Sequence, residues 1–308
     1  MSSKTAEARV RVSKAILMVI DGMDTVNFTM AHTPAMSGLH GRTAVGIAHT
    51  EIIGAGAPIT PIAHAMMGTG RNVIAHRPGP HSNGRPVDYY GHYAETIGDV
   101  ARKNGLSTAA VGKNEAAIVL GGLDALDYSQ IERDGINALD DEQITERTLN
   151  VLARMDRGIV VINYNGVDDA GHRRDIGGLI EAVENADRMV RRILAKVDPD
   201  QTLMVIAADH GTNPVTGNHS TAPTPFCLIT GQIPGRVNLG IVHNLEIAVT
   251  ITSALGLPNP ELSLGRDLVG VATEVNGERS YRATIERQLR AIQVSDPPRH
   301  QMKAGTWA

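Results

Sequence analysis

Acidic and histidine side chains recur in this 308-residue sequence just after runs of apolar residues. Asp168 and His172 follow the run at 158–164, and Asp209 and His210 follow the run at 202–207. If the chain turns helical after residue 164, positions four apart share a helix face, so Asp168 and His172 can reach one divalent ion. Carboxylate and imidazole groups are both good ligands for zinc or manganese. The pattern predicts a metal site, although an Asp-x-x-x-His pair alone also fits a solvated loop with a hydrogen-bonded histidine.

Two further residues are candidate ligands. Asp21 directly follows the apolar run at 15–20, and His219 lies nine residues beyond His210. An acid at the carboxyl end of a buried strand sits where open α/β sheets place their ligands. Because Gly22 follows Asp21, a turn-forming Asp-Gly pair is the alternative interpretation of that position.

Thr60 offers a hydroxyl group in a stretch rich in small residues, and Pro61 follows it. A residue before proline is pushed out of the α region, and proline is favoured at the first helical position. The pair therefore predicts a helix over residues 61–67 with Thr60 as its N-cap. The free amides and dipole of a helix N-terminus favour a bound anion. We predict either an anion site that includes the Thr60 hydroxyl or a threonine cap with a structural role.

The elements that must position these residues alternate between strands and helices. Three apolar runs rich in β-branched residues predict strands buried on both faces, at 15–20, 158–164 and 202–207. Further strands are predicted at 107–111 and 225–230, and further helices at 94–102, 146–155, 178–196 and 243–255. The alternation predicts an α/β fold with a mostly parallel sheet covered on both faces. The ligands that follow the three apolar strands would then lie on one rim of the sheet.

Three segments lack a clear pattern. Residues 71–92 are rich in Gly, Pro, His and Asn and predict an irregular lid over the site, whereas residues 122–146 are acidic and weakly patterned. Residues 273–308 are predicted to form a surface helix and tail. Lys113 follows the predicted strand at 107–111, so it either assists the site or is a surface lysine.

Composition argues against several functional classes. The net charge of −4 gives no support to a nucleic-acid surface, and the single cysteine, Cys227, excludes an intramolecular disulfide and fits a reducing compartment. No apolar run approaches the roughly 18 residues that a membrane span needs, and residues 1–14 do not resemble a signal peptide. We expect a single catalytic domain over residues 1–308, located in the cytoplasm, with no nucleic-acid or membrane partner.

Together these residues resemble the alkaline phosphatase superfamily, and more closely its cofactor-independent phosphoglycerate mutase and phosphopentomutase branch. The resemblance covers most of residues 15–270, and Gly171 to Asp175 looks very like phosphopentomutase. The matching motif positions are Ile20-Asp21-Gly22, Thr60 with Gly70, Asp168 with Gly171-His172, Asp209-His210-Gly211, and His219.

The resemblance implies a three-layer α/β sandwich like that of alkaline phosphatase, with two divalent ions, Zn²⁺ or Mn²⁺. It implies that Asp168, His172 and His219 hold one ion. The other would be held by Asp21, Asp209, His210 and Thr60. Thr60 is also the implied nucleophile. Four more side chains are predicted to contact the substrate: His64, Lys113, Arg173 and Arg174.

One departure from this branch concerns size. The mutases carry a large cap domain after the nucleophile helix, whereas residues 71–92 leave room only for a loop, which carries His76, Arg77, His81 and Arg85. We therefore expect a phosphohydrolase that acts on a small phosphorylated or phosphonate metabolite through a phosphothreonine intermediate. The alternatives are a phosphomutase, for which a second subunit of a homo-oligomer would supply the enclosure, a nucleotide phosphodiesterase or pyrophosphatase, and a metal-binding protein without turnover.

Overall fold

The computed structural model describes residues 11–38, 41–51, 58–71, 84–88, 90–123, 126–131, 140–233 and 235–274. The strands in these residues are β1 (Lys14–Ile20), β2 (Thr43–His49), β3 (Ser107–Gly112), β4 (Tyr128–Ile131), β5 (Gly158–Tyr164), β6 (Thr202–Ala207), β7 (Gly211–Thr212), β8 (His219–Ser220), β9 (Thr224–Ile229) and β10 (Arg236–His243). The helices are α1 (Thr25–Met30), α2 (Pro34–Ser37), α3 (Thr60–Thr69), α4 (Ile97–Lys103), α5 (Glu115–Ile118), α6 (Asp141–Arg154), α7 (Gly166–His172), α8 (Ile176–Leu194), α9 (Glu246–Leu255) and α10 (Leu268–Glu274).

Eight strands form one central sheet in the order β10-β2-β9-β6-β1-β5-β3-β4. β9 pairs antiparallel with both β2 and β6, whereas the other neighbouring strands pair in parallel. The remaining two strands, β7 and β8, form a separate antiparallel hairpin. The sheet is therefore mostly parallel, as the sequence predicted.

Helices cover both faces of this sheet. In β1, Ile16 and Met18 pack into the core on one face, with residues of α6 and α8, while Leu17 and Val19 pack on the opposite face, with residues of α4 and α9. Successive side chains of a strand point to opposite faces, so a strand covered on both sides must be apolar throughout. This explains the uninterrupted apolar runs, and it confirms the predicted three-layer α/β sandwich.

Several predicted helix boundaries were wrong because the capping residues were not recognised. α6 begins at Asp141 rather than at residue 146, because Asp140 accepts a hydrogen bond from the Gln143 amide in a capping box. α4 begins at Ile97 rather than at residue 94, because Thr96 forms the same kind of box with Asp99. Strands β2, β4 and β10 and the short helices α1 and α2 were not predicted.

Parts of two predicted segments lie outside the described residues. They are positions 72–83 and 89 of the predicted lid, which include His76, Arg77 and His81, and positions 275–308 of the predicted surface tail. Over the part of the chain that is described, no helix combines the length and the apolar character that crossing a membrane requires.

Candidate active site

Three neighbouring strands bring the predicted ligands to one edge of the sheet. β1 lies between β5 and β6, and all three run in the same direction. Asp21 follows β1, Asp168 lies in α7 just after β5, and Asp209 and His210 follow β6. The carboxyl ends of parallel strands form the edge at which open α/β sheets bind their ligands.

Asp21, Asp209 and His210 form one group of possible ligands, which we call the inner cluster. Their ligand atoms lie within 4.8 Å of one another, and all three side chains are fully buried. His210 Nε2 is 3.2 Å from Asp209 Oδ2 and 3.5 Å from Asp21 Oδ1. Neither of these two carboxylate oxygens accepts a hydrogen bond from the described residues. Because a buried carboxylate without partners is costly, this arrangement fits a binding site for a cation.

Burial and neighbouring charges shift the pKa values of the inner cluster. Burial raises the pKa of Asp209 well above its usual value, and the charge of Asp21 adds to this effect. Burial also acts to raise the pKa of Asp21, but Lys113 and His210 outweigh it, so that the pKa is lowered. Burial lowers the pKa of His210, which favours the neutral imidazole. Asp21 and His210 thus favour the forms that bind a metal ion, an ionised carboxylate and a neutral imidazole, whereas an ion at Asp209 would compete with a proton.

Asp168, His172 and His219 form a second group, which we call the outer cluster, and their ligand atoms also lie within 4.8 Å of one another. His172 Nε2 is 3.3 Å from Asp168 Oδ2, and His219 Nε2 is 3.7 Å from Asp168 Oδ1. The side chains of His172 and His219 are 48% and 20% exposed. The rings of His219 and His210 stack with their centroids 3.5 Å apart, so the two clusters are in contact.

Backbone carbonyls orient both histidines of the outer cluster. His172 Nδ1 donates a 2.7 Å hydrogen bond to the carbonyl of Gly217, and His219 Nδ1 donates a 3.2 Å hydrogen bond to the carbonyl of Pro58. A carbonyl only accepts hydrogen bonds, so each Nδ1 carries a hydrogen, and the neutral form of each ring presents its Nε2 lone pair beside Asp168. Histidines that bind metals commonly donate their other ring N–H in this way.

The two donor sets fit divalent metal ions. The inner cluster offers two carboxylates and one imidazole, whereas the outer cluster offers one carboxylate and two imidazoles. Mixed sets of this kind are typical of zinc and manganese sites. The geometry therefore supports a pair of neighbouring metal sites, as the sequence predicted, while the ions themselves and their number stay a prediction.

Thr60 is the first residue of α3 and faces the inner cluster. Ile59, not Thr60, is the N-cap, and it makes no side-chain capping bond, so the predicted capping role of Thr60 was wrong. The physical reason is that the Thr60 hydroxyl has another partner, His210 Nε2, at 3.1 Å. His210 Nδ1 donates to the carbonyl of Gly211 at 3.3 Å, so Nε2 is the acceptor for the Thr60 hydroxyl.

Lys113 lies between the two clusters, just beyond the end of β3. Its Nζ atom is 3.7 Å from Asp21 Oδ2 and 3.9 Å from Asp168 Oδ2. Burial acts to lower the pKa of Lys113, but the two carboxylates outweigh it and raise the pKa, so the ammonium group is charged at neutral pH. Lys113 therefore points into the site rather than over the surface, and its contact with a substrate stays a prediction.

The other three predicted substrate contacts are placed differently. His64 is fully buried one turn after Thr60, and its Nδ1 atom donates a 2.9 Å hydrogen bond to the Thr60 carbonyl. Arg173 and Arg174 are exposed on the turn that follows α7. Contact of these three residues with a substrate stays a prediction.

Three hydrogen-bond donors that orient the cluster carboxylates were not predicted. They are Asn163 Nδ2 to Asp21 Oδ2 at 3.2 Å, the Gly22 amide to Asp209 Oδ1 at 3.2 Å, and Thr212 Oγ1 to Asp168 Oδ1 at 3.1 Å. The polar Asn163 in the otherwise apolar run of β5 was a usable sequence signal. Thr212 gave none, because its partner is 44 residues away in the chain.

A protein-family model described as the Metalloenzyme superfamily matches residues 13–259 of the chain. The chain belongs to this superfamily. The matched region contains both clusters, Thr60 and Lys113. Together with the relatives described next, it confirms the resemblance to the alkaline phosphatase superfamily.

Relatives of this metalloenzyme in sequence include two kinds of phosphomutase. A 2,3-bisphosphoglycerate-independent phosphoglycerate mutase from Rippkaea orientalis is 34% identical over 148 residues, which cover 43% of this chain and 28% of the mutase. A phosphopentomutase from Alkaliphilus oremlandii is 28% identical over 169 residues, which cover 54% of this chain and 41% of the mutase. The metalloenzyme thus spans less than half the length of either relative.

Solved structures with a similar fold include alkaline phosphatases. The enzyme from the Antarctic bacterium TAB5 has a TM-score of 0.59 at 14% identity, and the match covers 80% of this chain and 99% of that one. The enzyme from Thermus thermophilus has a TM-score of 0.59 at 13% identity and covers 94% and 99%. This likeness confirms the alkaline phosphatase-like fold.

Proposed function

We propose that this metalloenzyme is a phosphohydrolase that transfers a phosphoryl group from a small phosphate ester to Thr60 and then to water. The observation that carries the proposal is the position of the Thr60 hydroxyl, 3.1 Å from His210 Nε2 at the edge of the inner cluster. Thr60 also begins a ten-residue helix, whose dipole favours a bound anion. A hydroxyl group becomes an effective nucleophile when a metal ion or a base activates it.

The residues of the two clusters and Thr60 fit two metal ions. Asp21, Asp209, His210 and Thr60 would hold one ion, and Asp168, His172 and His219 would hold the other. Bound divalent ions supply positive charge that stabilises the entering and leaving oxygens of an in-line displacement and lowers the pKa of a coordinated hydroxyl.

In the first step, Thr60 loses its hydroxyl proton to solvent and Oγ1 forms a bond to phosphorus. The bond from phosphorus to the leaving oxygen breaks, and its electron pair stays on that oxygen, which then takes up a proton. The charged Nζ of Lys113, between the two clusters, is placed to pair with the phosphoryl oxygens as negative charge develops on them.

In the second step, a water oxygen bonds to phosphorus and the bond to Thr60 Oγ1 breaks. Thr60 recovers its proton, and inorganic phosphate leaves. Water must reach the phosphothreonine for this step. The side chain of His172 is 48% exposed, so solvent reaches the outer cluster, next to the stacked pair of His219 and His210.

The short segment between Gly70 and Gly91 favours hydrolysis over a phosphomutase reaction. A mutase must retain its dephosphorylated intermediate and exclude water until the phosphoryl group has returned. In the resembling mutases a cap domain does this, whereas here about twenty residues separate Gly70 from Gly91. A small phosphorylated metabolite that does not have to be enclosed is therefore the substrate class we propose.

The experiment is a panel of ribose 1-phosphate, ribose 5-phosphate, simple phosphonates and a nucleotide diester, tested with Zn²⁺ and with Mn²⁺. Free phosphate is followed throughout, and nucleoside monophosphate is followed for the diester. We expect phosphate release from a small monoester. Thr60→Ala should lower the rate at least about 10³-fold, because the covalent route is lost. Thr69→Ala is the matched control: it changes the same residue type in the same helix, where the hydroxyl bonds only backbone groups, to Ala65 and from Arg71.

Mass spectrometry of the acid-quenched reaction should find one phosphoryl group on the peptide that contains Thr60. A Thr60→Ala variant with a near-wild-type rate would overturn the nucleophile assignment. Cleavage of the nucleotide diester to a nucleoside monophosphate and an alcohol, with no release of phosphate from the monoesters, would replace the monoesterase by a phosphodiesterase.

A phosphomutase is the second candidate, and the relatives support it. Both kinds of curated relative are mutases, and the chain matches part of each. Interconversion of ribose 1-phosphate and ribose 5-phosphate with negligible release of phosphate would establish this activity in place of hydrolysis. Metal binding with neither product would leave a metal-binding protein without turnover.

A further inference from the structure

Thr212 is a fully buried polar residue in the hairpin that carries His219. It is the second residue of β7 and pairs with His219 across the hairpin. Its hydroxyl donates a 3.1 Å hydrogen bond to Asp168 Oδ1. One strand of the hairpin therefore contacts the carboxylate of the outer cluster, while the other strand contributes a histidine to that cluster.

The hydroxyl of Thr212 acts on only one of the two carboxylate oxygens. Asp168 Oδ2 lies 3.3 Å from His172 Nε2 and 3.9 Å from Lys113 Nζ. Asp168 Oδ1 faces His219 and Thr212 instead. Rotation of a carboxylate about its Cβ–Cγ bond has broad minima, so a fixed donor on one oxygen restricts the whole group.

Two glycines leave the space that Thr212 occupies. A Cβ atom on Gly22 would lie 2.4 Å from Thr212 Oγ1, and a Cβ atom on Gly171 would lie 2.3 Å from Thr212 Cγ2. The hydroxyl and the methyl group are thus each packed against a different glycine. Exchange of these two groups by rotation about χ1 would move both of them out of their places, so the hydroxyl stays directed at Asp168.

We propose that Thr212 is a positioning residue that holds the Asp168 carboxylate in the orientation needed for metal binding at the outer cluster. The inference rests on the proposed function, because it takes the outer cluster to be a metal site. Removal of a donor that hydrogen-bonds to a metal ligand typically weakens metal binding by about 10- to 100-fold. The inner cluster has its own donors, Asn163 and the Gly22 amide, whereas the hydrogen bond of the Thr212 hydroxyl goes to Asp168 in the outer cluster.

The test compares Thr212→Val, which removes the hydroxyl and keeps the branched shape, with Thr212→Ser, which keeps the hydroxyl. Zn²⁺ and Mn²⁺ are titrated separately into each metal-free protein by calorimetry, and thermal unfolding is recorded with and without metal. We expect Thr212→Val to weaken one of two binding equivalents by about 10- to 100-fold and to leave the other unchanged. Thr212→Ser should stay within a few-fold of the wild type at both.

A merely structural role of Thr212 would lower the unfolding temperature equally with and without metal and would leave both affinities unchanged, and this result would overturn the inference. Equal loss of affinity in the Val and Ser variants would also overturn it. If Thr212→Val does not fold, Thr212→Ala replaces it in the same comparison with Thr212→Ser. Wild-type protein that binds no metal would overturn the proposed function together with the inference, whereas unchanged binding by Thr212→Val overturns the inference alone.

Discussion

The inner cluster follows strands at the centre of the sheet, whereas the outer cluster is built on the seven-residue helix α7 and a hairpin with two residues in each strand. All three inner side chains are fully buried. In the outer cluster His172 is half exposed, and its orientation depends on the backbone carbonyl of Gly217. Similar ligand chemistry thus occurs in two different surroundings.

This difference in burial and hydrogen bonding predicts different metal affinities for two sites with similar ligands. In the inner cluster, two buried carboxylate oxygens accept no hydrogen bond from the described residues, which raises the free energy of the metal-free fold. A bound ion would therefore stabilise the protein strongly. In the outer cluster, solvent and backbone carbonyls satisfy the imidazoles without an ion. We therefore expect the inner cluster to bind its ion more tightly and to exchange it more slowly.

The largest expected effect comes from Asp209→Asn in the inner cluster. An ion present at a thousandfold excess over its Kd adds about 4 kcal/mol to the free energy of unfolding, and this variant should lose most of that gain at the inner cluster. Without metal the variant should be at least as stable as the wild type, because burial raises the pKa of Asp209 and a neutral amide avoids that cost. Urea denaturation with and without Zn²⁺ measures both quantities. If metal raised the free energy of unfolding equally in the variant and the wild type, the inner cluster would not be the site of stronger binding.

His172→Ala should produce a smaller effect, confined to the outer cluster. We expect the affinity of one binding equivalent to fall by more than about 100-fold, because His172 is a proposed ligand and removal of a group that only supports a ligand already costs about 10- to 100-fold. The free energy of unfolding of the metal-free protein should fall by only about 1 kcal/mol, because the side chain is half exposed and the variant loses one hydrogen bond, to the Gly217 carbonyl. Competition with a chromophoric chelator measures the affinities. Loss of both ions from this variant would show that the clusters are not separable.

The smallest expected effect concerns Asp141, whose pKa is raised to about 6 by burial, against the hydrogen bonds donated by the backbone of Asn165 and Gly166. These amides lie at the start of α7, which carries two outer ligands. The pKa of Asp141 in the folded state lies above the usual value of 3.8. Its contribution to the free energy of unfolding is therefore fully present below pH 4 and is lost as the pH rises to about 6.

Asp141→Asn should remove that dependence and raise the free energy of unfolding at pH 8 by about 1–2 kcal/mol. Denaturation between pH 4 and pH 8 measures it. Asp156→Asn, at an exposed position, is the control and should leave the profile unchanged. An Asp141→Asn profile that follows the wild type would contradict the assignment.

The sequence was sufficient for the strands that are buried on both faces. β5 and β6 have the predicted bounds, because an apolar run ends abruptly where the chain leaves the covered part of the sheet. β2 was missed because Gly46 and His49 interrupt its apolar pattern. β10 was missed because it lies at the edge of the sheet, where it is only partly buried, and Asn238 and Gly240 interrupt its apolar pattern.

For the candidate site, local sequence patterns identified residues but not their partners. Asp168 and His172 are four residues apart in one helix, so their proximity followed from helix geometry alone. The hydrogen bond between Thr60 and His210 joins residues 150 positions apart, and no local rule contains it. The same holds for Lys113, which reaches two carboxylates only because β3, β5 and β1 are neighbours in the sheet.

The reversed direction of β9 determines how the chain travels past the site. β6 ends at the ligand edge of the sheet, and β9, which runs the opposite way beside it, starts there. No crossover helix is needed, so the chain between residues 208 and 223 stays on that edge and supplies Asp209, His210, Thr212 and His219 in succession. Insertions or deletions in the turn at 213–218 would therefore change the geometry of the outer cluster, while the strands that carry the inner cluster keep their register.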